Sequence, residues 1–217
     1  MIKPLLILGA GGHASVIVDI LREQKREIIG VVSPQIDLNR AVFKGIQHYT
    51  CDEDILDFAT DTVRLVNGIG AMPGASLRTS IYRNFISLGY EFETVVSSSA
   101  VVSSHAVLAA GSQIFPNATV QTGANIGENT IINSGAIIEH DCLVGKNNHV
   151  APGATLSGDV QSGENVHFGT GSSIIQSIII GNGVVIGAGA TITKNVADNT
   201  ICFPARSLYK IMESNES

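Results

Sequence analysis

The second half of the chain repeats a hydrophobic residue every six positions, and few folds tolerate that spacing. From Val102 through Leu108, Ile114 and Val120 to Ile186 and Ile192, sixteen residues occupy the register, and only Ser162 is not hydrophobic. Four positions later comes a mostly small residue, as at Ala106, Ala118, Ala124, Ala136, Cys142, Ala154 and Ala190. An α-helix returns its apolar stripe about every 3.6 residues. A strict period of six belongs instead to a parallel β-helix of hexads, with both sets of positions facing inward.

The first half obeys different rules. A strand at Leu5–Leu8, a glycine turn at Gly9-Ala10-Gly11-Gly12, a helix from about His13 to Gln24, strands at Ile28–Val32 and Leu65–Val66 and a helix at Ser76–Leu88 read as a small parallel α/β sheet, a Rossmann-like unit. Composition changes near residue 97, and residues 101–217 hold only Lys146, Lys194, Arg206 and Lys210 as basic residues. The expected domains are 1–97, a hexad domain at 98–198, and a C-terminal cap and tail at 199–217.

With 44% hydrophobic and 15% charged residues, the 217-residue chain can bury a substantial core. A net charge of −6 without a Lys/Arg cluster argues against nucleic acid as a partner. No uninterrupted apolar run approaches the roughly 18 to 20 residues of a membrane span, so neither membrane insertion nor a signal peptide is expected. Cys51, Cys142 and Cys202 lack C-x-x-C spacing, which suggests no disulfide framework and no cysteine zinc site and fits a reducing cytoplasm.

Hexads such as Ile126-Gly127-Glu128-Asn129-Thr130 and Ile186-Gly187-Ala188-Gly189-Ala190 resemble those of the hexapeptide-repeat acyltransferases. The segment from Asn133 to Gly145, with Ile138-Glu139-His140-Asp141-Cys142 at its centre, is similar to the catalytic coil of acetyltransferases that modify nucleotide-linked amino sugars, the bacillosamine type, and of the related sialic acid O-acetyltransferases. The resemblance implies a left-handed parallel β-helix with three hexads per coil, a homotrimer, and acetyl-CoA lying between neighbouring prisms. It implies His140 as general base supported by Asp141, His149 near the acetyl thioester, and Gly158 and Ala188 where the backbone approaches the cofactor. Asn133 falls on the substrate side.

Coils of 18 residues place His140 one coil from Gly158. Of the fourteen glycines in this half, Gly158 alone falls two residues after an inward aliphatic, where it opens space and a backbone N–H beside an imidazole, or simply serves a turn. His149 is half a coil from His140, so two sites or two subunits are implied. His149 and His167 should stack at one corner. A γ-carbonic-anhydrase-like zinc site there lacks a third ligand, and no metal is expected.

Gly9-Ala10-Gly11-Gly12-His13 follows a strand and opens a helix, so its N–H groups and the helix dipole face an anion. Ser15 stands at the third position of the dinucleotide fingerprint, which disfavours a redox cofactor. By the resemblance, Gly11, Gly12, His13 and Gly70 hold the diphosphate of a nucleotide sugar. Two departures stand out: Ser33-Pro34, with Asp37 further on, replaces paired acids that read uracil, and Cys202-Phe203-Pro204-Ala205-Arg206 lacks the usual glycine of the C-terminal turn. The expected activity is N-acetylation of a nucleotide-linked amino-deoxy sugar for a bacterial surface glycan or glycoprotein. Sugar O-acetylation, a carbonic-anhydrase-like metal protein and a non-catalytic scaffold are the alternatives.

Overall fold

The computed structural model of the chain describes residues 2–37 and 39–205. Strands β1 (Leu5–Leu8), β2 (Ile28–Val32), β3 (His48–Tyr49) and β4 (Arg64–Asn67) form a parallel sheet in the order β3-β2-β1-β4. All four residues of β1 are buried, as a central strand covered on both faces requires. Helix α1 (Gly12–Glu23) packs Ile17, Val18 and Leu21 onto one face, and α2 (Leu77–Ser87) packs Tyr82 and Phe85 onto the other. Strand order reverses between β1 and β4, so the loops after these two strands flank the crevice where open α/β sheets bind ligands.

The second half is a triangular prism of two-residue strands, a left-handed parallel β-helix as the sequence reading expected. Strands pair with those three hexads away, as in the column Ile131, His149, His167 and Val185. Seven, six and five strands make up the faces. The first face runs from Val95–Val96 to Ile201–Cys202, the second from Val101–Val102 to Thr191–Ile192, and the third from Val107–Leu108 to Ile179–Ile180. The prism therefore begins just ahead of residue 98. Its last turn breaks register: Val196 bridges Ile180 and Cys202 pairs with Ile186, each two residues short of a full coil. Of the expected cap at 199–217, Ile201–Cys202 forms the last strand of the first face, and Arg206 and the residues after it lie outside the described residues.

Two local rules generate the coil. The third residue after many inward aliphatics is left-handed, with φ of 55° at Asn129, 61° at Asp141 and 58° at Asn147, which is why glycine, asparagine and aspartate recur there. The residue immediately after an inward aliphatic can approach the next coil so closely that a Cβ at Gly127 would lie 2.5 Å from the Lys146 backbone nitrogen. Ser162, the polar exception in the register, accepts a hydrogen bond from Asn148 Nδ2 at 2.9 Å. Asn148 Oδ1 in turn accepts one from the Val166 N–H at 2.7 Å. These groups are thus paired, as burial favours, whereas among the described residues the buried hydroxyls of Ser112 and Ser172, at the small inward positions, have no hydrogen-bond partner.

The α/β domain is fastened to the first face. Gln113 and Ile131 point outward from the prism yet are fully buried beneath it. Arg78 of α2 donates to the carbonyls of Asn67 and Ile69 at 2.9 and 2.7 Å and to that of Asn129 at 3.2 Å, while Asn67 Nδ2 reaches Asn129 Oδ1 at 3.1 Å. Burial lowers the Arg78 pKa to about 9, which leaves it cationic at neutral pH. No helix among the described residues is long and apolar enough to cross a membrane.

Candidate active site

His140 and Asp141 occupy the corner between the second and third faces, between strands Ile137–Ile138 and Leu143–Val144. The left-handed backbone at Asp141 folds its side chain back, and Oδ2 lies 2.8 Å from His140 Nδ1. That contact fixes Nδ1 as the protonated nitrogen and leaves the Nε2 lone pair free. The Asp141 hydrogen bond, with the nearby charges of Asp141, Glu139 and Asp159, raises the His140 pKa above its ordinary value. The ring is solvent-exposed and lies against Gly158 of the next coil, where a Cβ would stand 2.5 Å from Nε2. Among the described residues the Gly158 N–H has no backbone partner. The misplaced glycine of the sequence therefore makes room for the imidazole.

His149 lies on the first face. It pairs with His167 along a flat sheet, not at the corner expected from the sequence, and the rings meet edge-on with centroids 5.0 Å apart. His149 Nδ1 is 3.0 Å from the Ala71 carbonyl, to which it donates, and Nε2 accepts from Asn133 Nδ2 at 3.1 Å. Burial first, then His167, lowers its pKa to about 4, so the ring is neutral. With both nitrogens engaged, His149 has no free N–H within this chain. Asn133 holds the spare donor: Oδ1 accepts the Ser134 N–H at 2.8 Å, and one of its two amide hydrogens remains unused.

The N-terminal turn divides. Gly11 and Gly12 are exposed at the start of α1, and Arg40 stands over them: its Nη1 is 3.8 Å from where a Gly12 Cβ would be and donates to Ser15 Oγ at 3.3 Å. Gly11, Gln35, Asp37 and Arg40 line a common pocket, in which Asp37 and Arg40 pair at 3.7 Å. The sequence reading noted Asp37 but missed Arg40, since an isolated arginine in a loop carries no local signal. His13 turns away from this pocket. Its Nε2 is 2.8 Å from Gln113 Oε1, its ring stacks on Phe115 at 4.9 Å, and burial lowers its pKa to about 3. Gly70 lies against it, so His13 and Gly70 belong to the seam between the domains.

Ala188 is exposed at the corner between the first and second faces, the corner that also carries Asn133, but several coils further along. The His140 corner lies opposite the first face, so one chain does not bring His140 together with His149. Among the described residues no group of three or more His, Cys, Asp or Glu side chains could hold a metal ion.

Residues 4–85 match the PglD N-terminal domain, and residues 123–158 and 163–194 match the bacterial transferase hexapeptide (six repeats). Among solved structures, a histidine variant of perosamine N-acetyltransferase from Caulobacter crescentus, in complex with CoA and GDP-perosamine, is 26% identical with a TM-score of 0.83, over 93% of each chain. The acetyltransferase domain of PglB from Neisseria gonorrhoeae FA1090, in complex with acetyl coenzyme A, is 27% identical with a TM-score of 0.83, over 95% of this chain and 99% of that one. WeeI from Acinetobacter baumannii AYE shares the fold at 22% identity and a TM-score of 0.78, over 92% and 96%. No curated protein matches the sequence.

Proposed function

We propose, for a chain that belongs to the hexapeptide-repeat acetyltransferases, that it transfers the acetyl group of acetyl-CoA to the amino group of a nucleotide-linked amino-deoxy sugar. The observation that carries the reading is the His140–Asp141 pair seated over Gly158 at an exposed corner. His140 Nε2 takes a proton as the amine attacks the thioester carbonyl, and Asp141 stabilises the imidazolium that forms. The Gly158 N–H, with no backbone partner, faces the developing oxyanion. The carbon–sulfur bond then breaks, and the coenzyme leaves as a thiolate that takes the proton back from His140, since a thiol pKa is near 8.5.

The nucleotide sugar enters at Gly11 and Gly12, where N–H groups and the Arg40 guanidinium meet its diphosphate. A homotrimer supplies the remaining half of the site: the His140 corner of one prism faces the His149 and Asn133 face of the next, with the cofactor between them. The CoA and GDP-perosamine complex of the Caulobacter relative supports this substrate class. The product serves a bacterial surface glycan or glycoprotein, made in the cytoplasm where acetyl-CoA is available. His140→Ala tests the assignment: acetylation of a UDP-, dTDP- or GDP-amino sugar should collapse while acetyl-CoA binding, measured by calorimetry, is retained. Normal turnover in that variant removes His140 as base.

A further inference from the structure

A cavity of about 330 Å³ lies between the loop after β4, the start of α2 and the first face of the prism. Ser76, Thr79 and Arg83 line it from the α2 side, and Asn147, Asn165 and His167 from the prism. No aspartate or glutamate lines it. Among the described residues, the exposed Arg83 guanidinium has no ion-pair partner. The His167 ring is also unsatisfied: Nδ1 is buried without a hydrogen-bond partner. A buried orphan N–H is rarer than a bare lone pair, so the proton sits on Nε2, the ring's accessible nitrogen. Burial keeps the ring neutral at pH 7, so this nitrogen is a donor without a charge. A cavity furnished with an unpaired guanidinium, amide, hydroxyl and imidazole donors, and no carboxylate, is chemically matched to an anion.

We propose that this cavity binds an oxyanion group of one of the two substrates, with Arg83 and the Nε2–H of His167 as its donors. The inference deepens the transferase reading and rests on it. The oxyanion has two sources, a phosphate of the coenzyme or an anionic group of the nucleotide sugar. Both offer oxygens that accept two or more hydrogen bonds.

Titration calorimetry of the full chain with CoA, with inorganic phosphate and with UDP-, dTDP- and GDP-sugars tests this. Arg83→Ala and His167→Leu should each weaken one substrate about tenfold or more, the size expected for losing a charge-assisted hydrogen bond. Arg83→Lys should recover part of the loss, because it keeps the charge but not the fork. Inorganic phosphate should compete with the affected substrate in the native chain and fail to do so in Arg83→Ala, and the salt dependence of binding should flatten in that variant. Loss confined to CoA identifies the coenzyme phosphate, and loss confined to the nucleotide sugar identifies the other source. Unchanged affinity for both substrates in Arg83→Ala, an exposed position whose variant should fold, overturns the proposal while leaving the transferase reading intact. A native chain that binds neither CoA nor any nucleotide sugar overturns the transferase reading itself.

Discussion

Replacing Gly158 with alanine should separate catalysis from folding. Its φ lies outside the left-handed region, so alanine is conformationally admissible and should stabilise the fold by about 0.4–1 kcal/mol through the unfolded chain. The added methyl, however, would stand 2.5 Å from His140 Nε2 and 2.6 Å from Cε1. Ordinary contact begins at 3.4 Å, so the imidazole must retreat by about 0.9 Å. It cannot do so without straining the 2.8 Å bond to Asp141, itself set by a left-handed turn. Misplacing a catalytic group by about 1 Å costs on the order of a hundredfold in rate, or about 2.7 kcal/mol of barrier. The expected result is a kcat reduced about a hundredfold, followed as release of free CoA thiol, with a melting temperature equal to or above that of the native chain. Gly127→Ala is the matching control. Its Cβ would meet the Lys146 backbone nitrogen at 2.5 Å, and backbone cannot swing aside, so it should lose about 1–3 kcal/mol of stability. Undiminished turnover in Gly158→Ala would refute the account of the corner as a shaped seat for the base.

Asp141→Asn should lower kcat and move the acid limb of the pH–rate profile to lower pH, because the carboxylate is what raises the His140 pKa and the ring acts only when neutral. An unmoved acid limb would exclude His140 as the group seen in the profile. Inside the prism, Asn148→Ala strands the Gly163 carbonyl and the Val166 N–H and leaves Ser162 Oγ only the long bond from the Gly145 N–H. It should cost about 3 kcal/mol in urea unfolding, against about 1 kcal/mol for Ser162→Ala. Equal losses in the two variants would contradict the hydrogen-bond assignment.

The prism was legible because each coil is written three times in the same local rule: an inward aliphatic, a tight glycine or a left-handed turn residue, and a small inward residue. Periodicity averages over exceptions, which is why Ser162 did not hide it. The seat of His140 was legible for the same reason, since residues 18 apart stack whatever their chemistry. What the sequence concealed depends on contacts between distant segments. His13 belongs to a glycine turn, but its ring is claimed by Gln113 and Phe115, a hundred residues away. The Ala71 carbonyl engages one nitrogen of His149 and so changes what that histidine can do. The final coil also escaped prediction, because two missing residues shift the pairing of Val196 and Cys202 while each short segment still looks like an ordinary hexad.

The fastening of the α/β domain at Gln113 and Asn129 makes the prism a ruler with a fixed zero. Apart from the contact of His149 with Ala71, what lies beyond that seam is carried on coils stacked at roughly 4.8 Å each. A coil inserted after Asn129 would carry His140 and Gly158 one step further from the turn at Gly11 and Gly12 without breaking any hexad rule. A deletion of one coil would draw them one step closer. The span between the two ends of the chemistry can therefore change only in whole steps, and an acceptor of intermediate length has to be met by the loops, not by the scaffold.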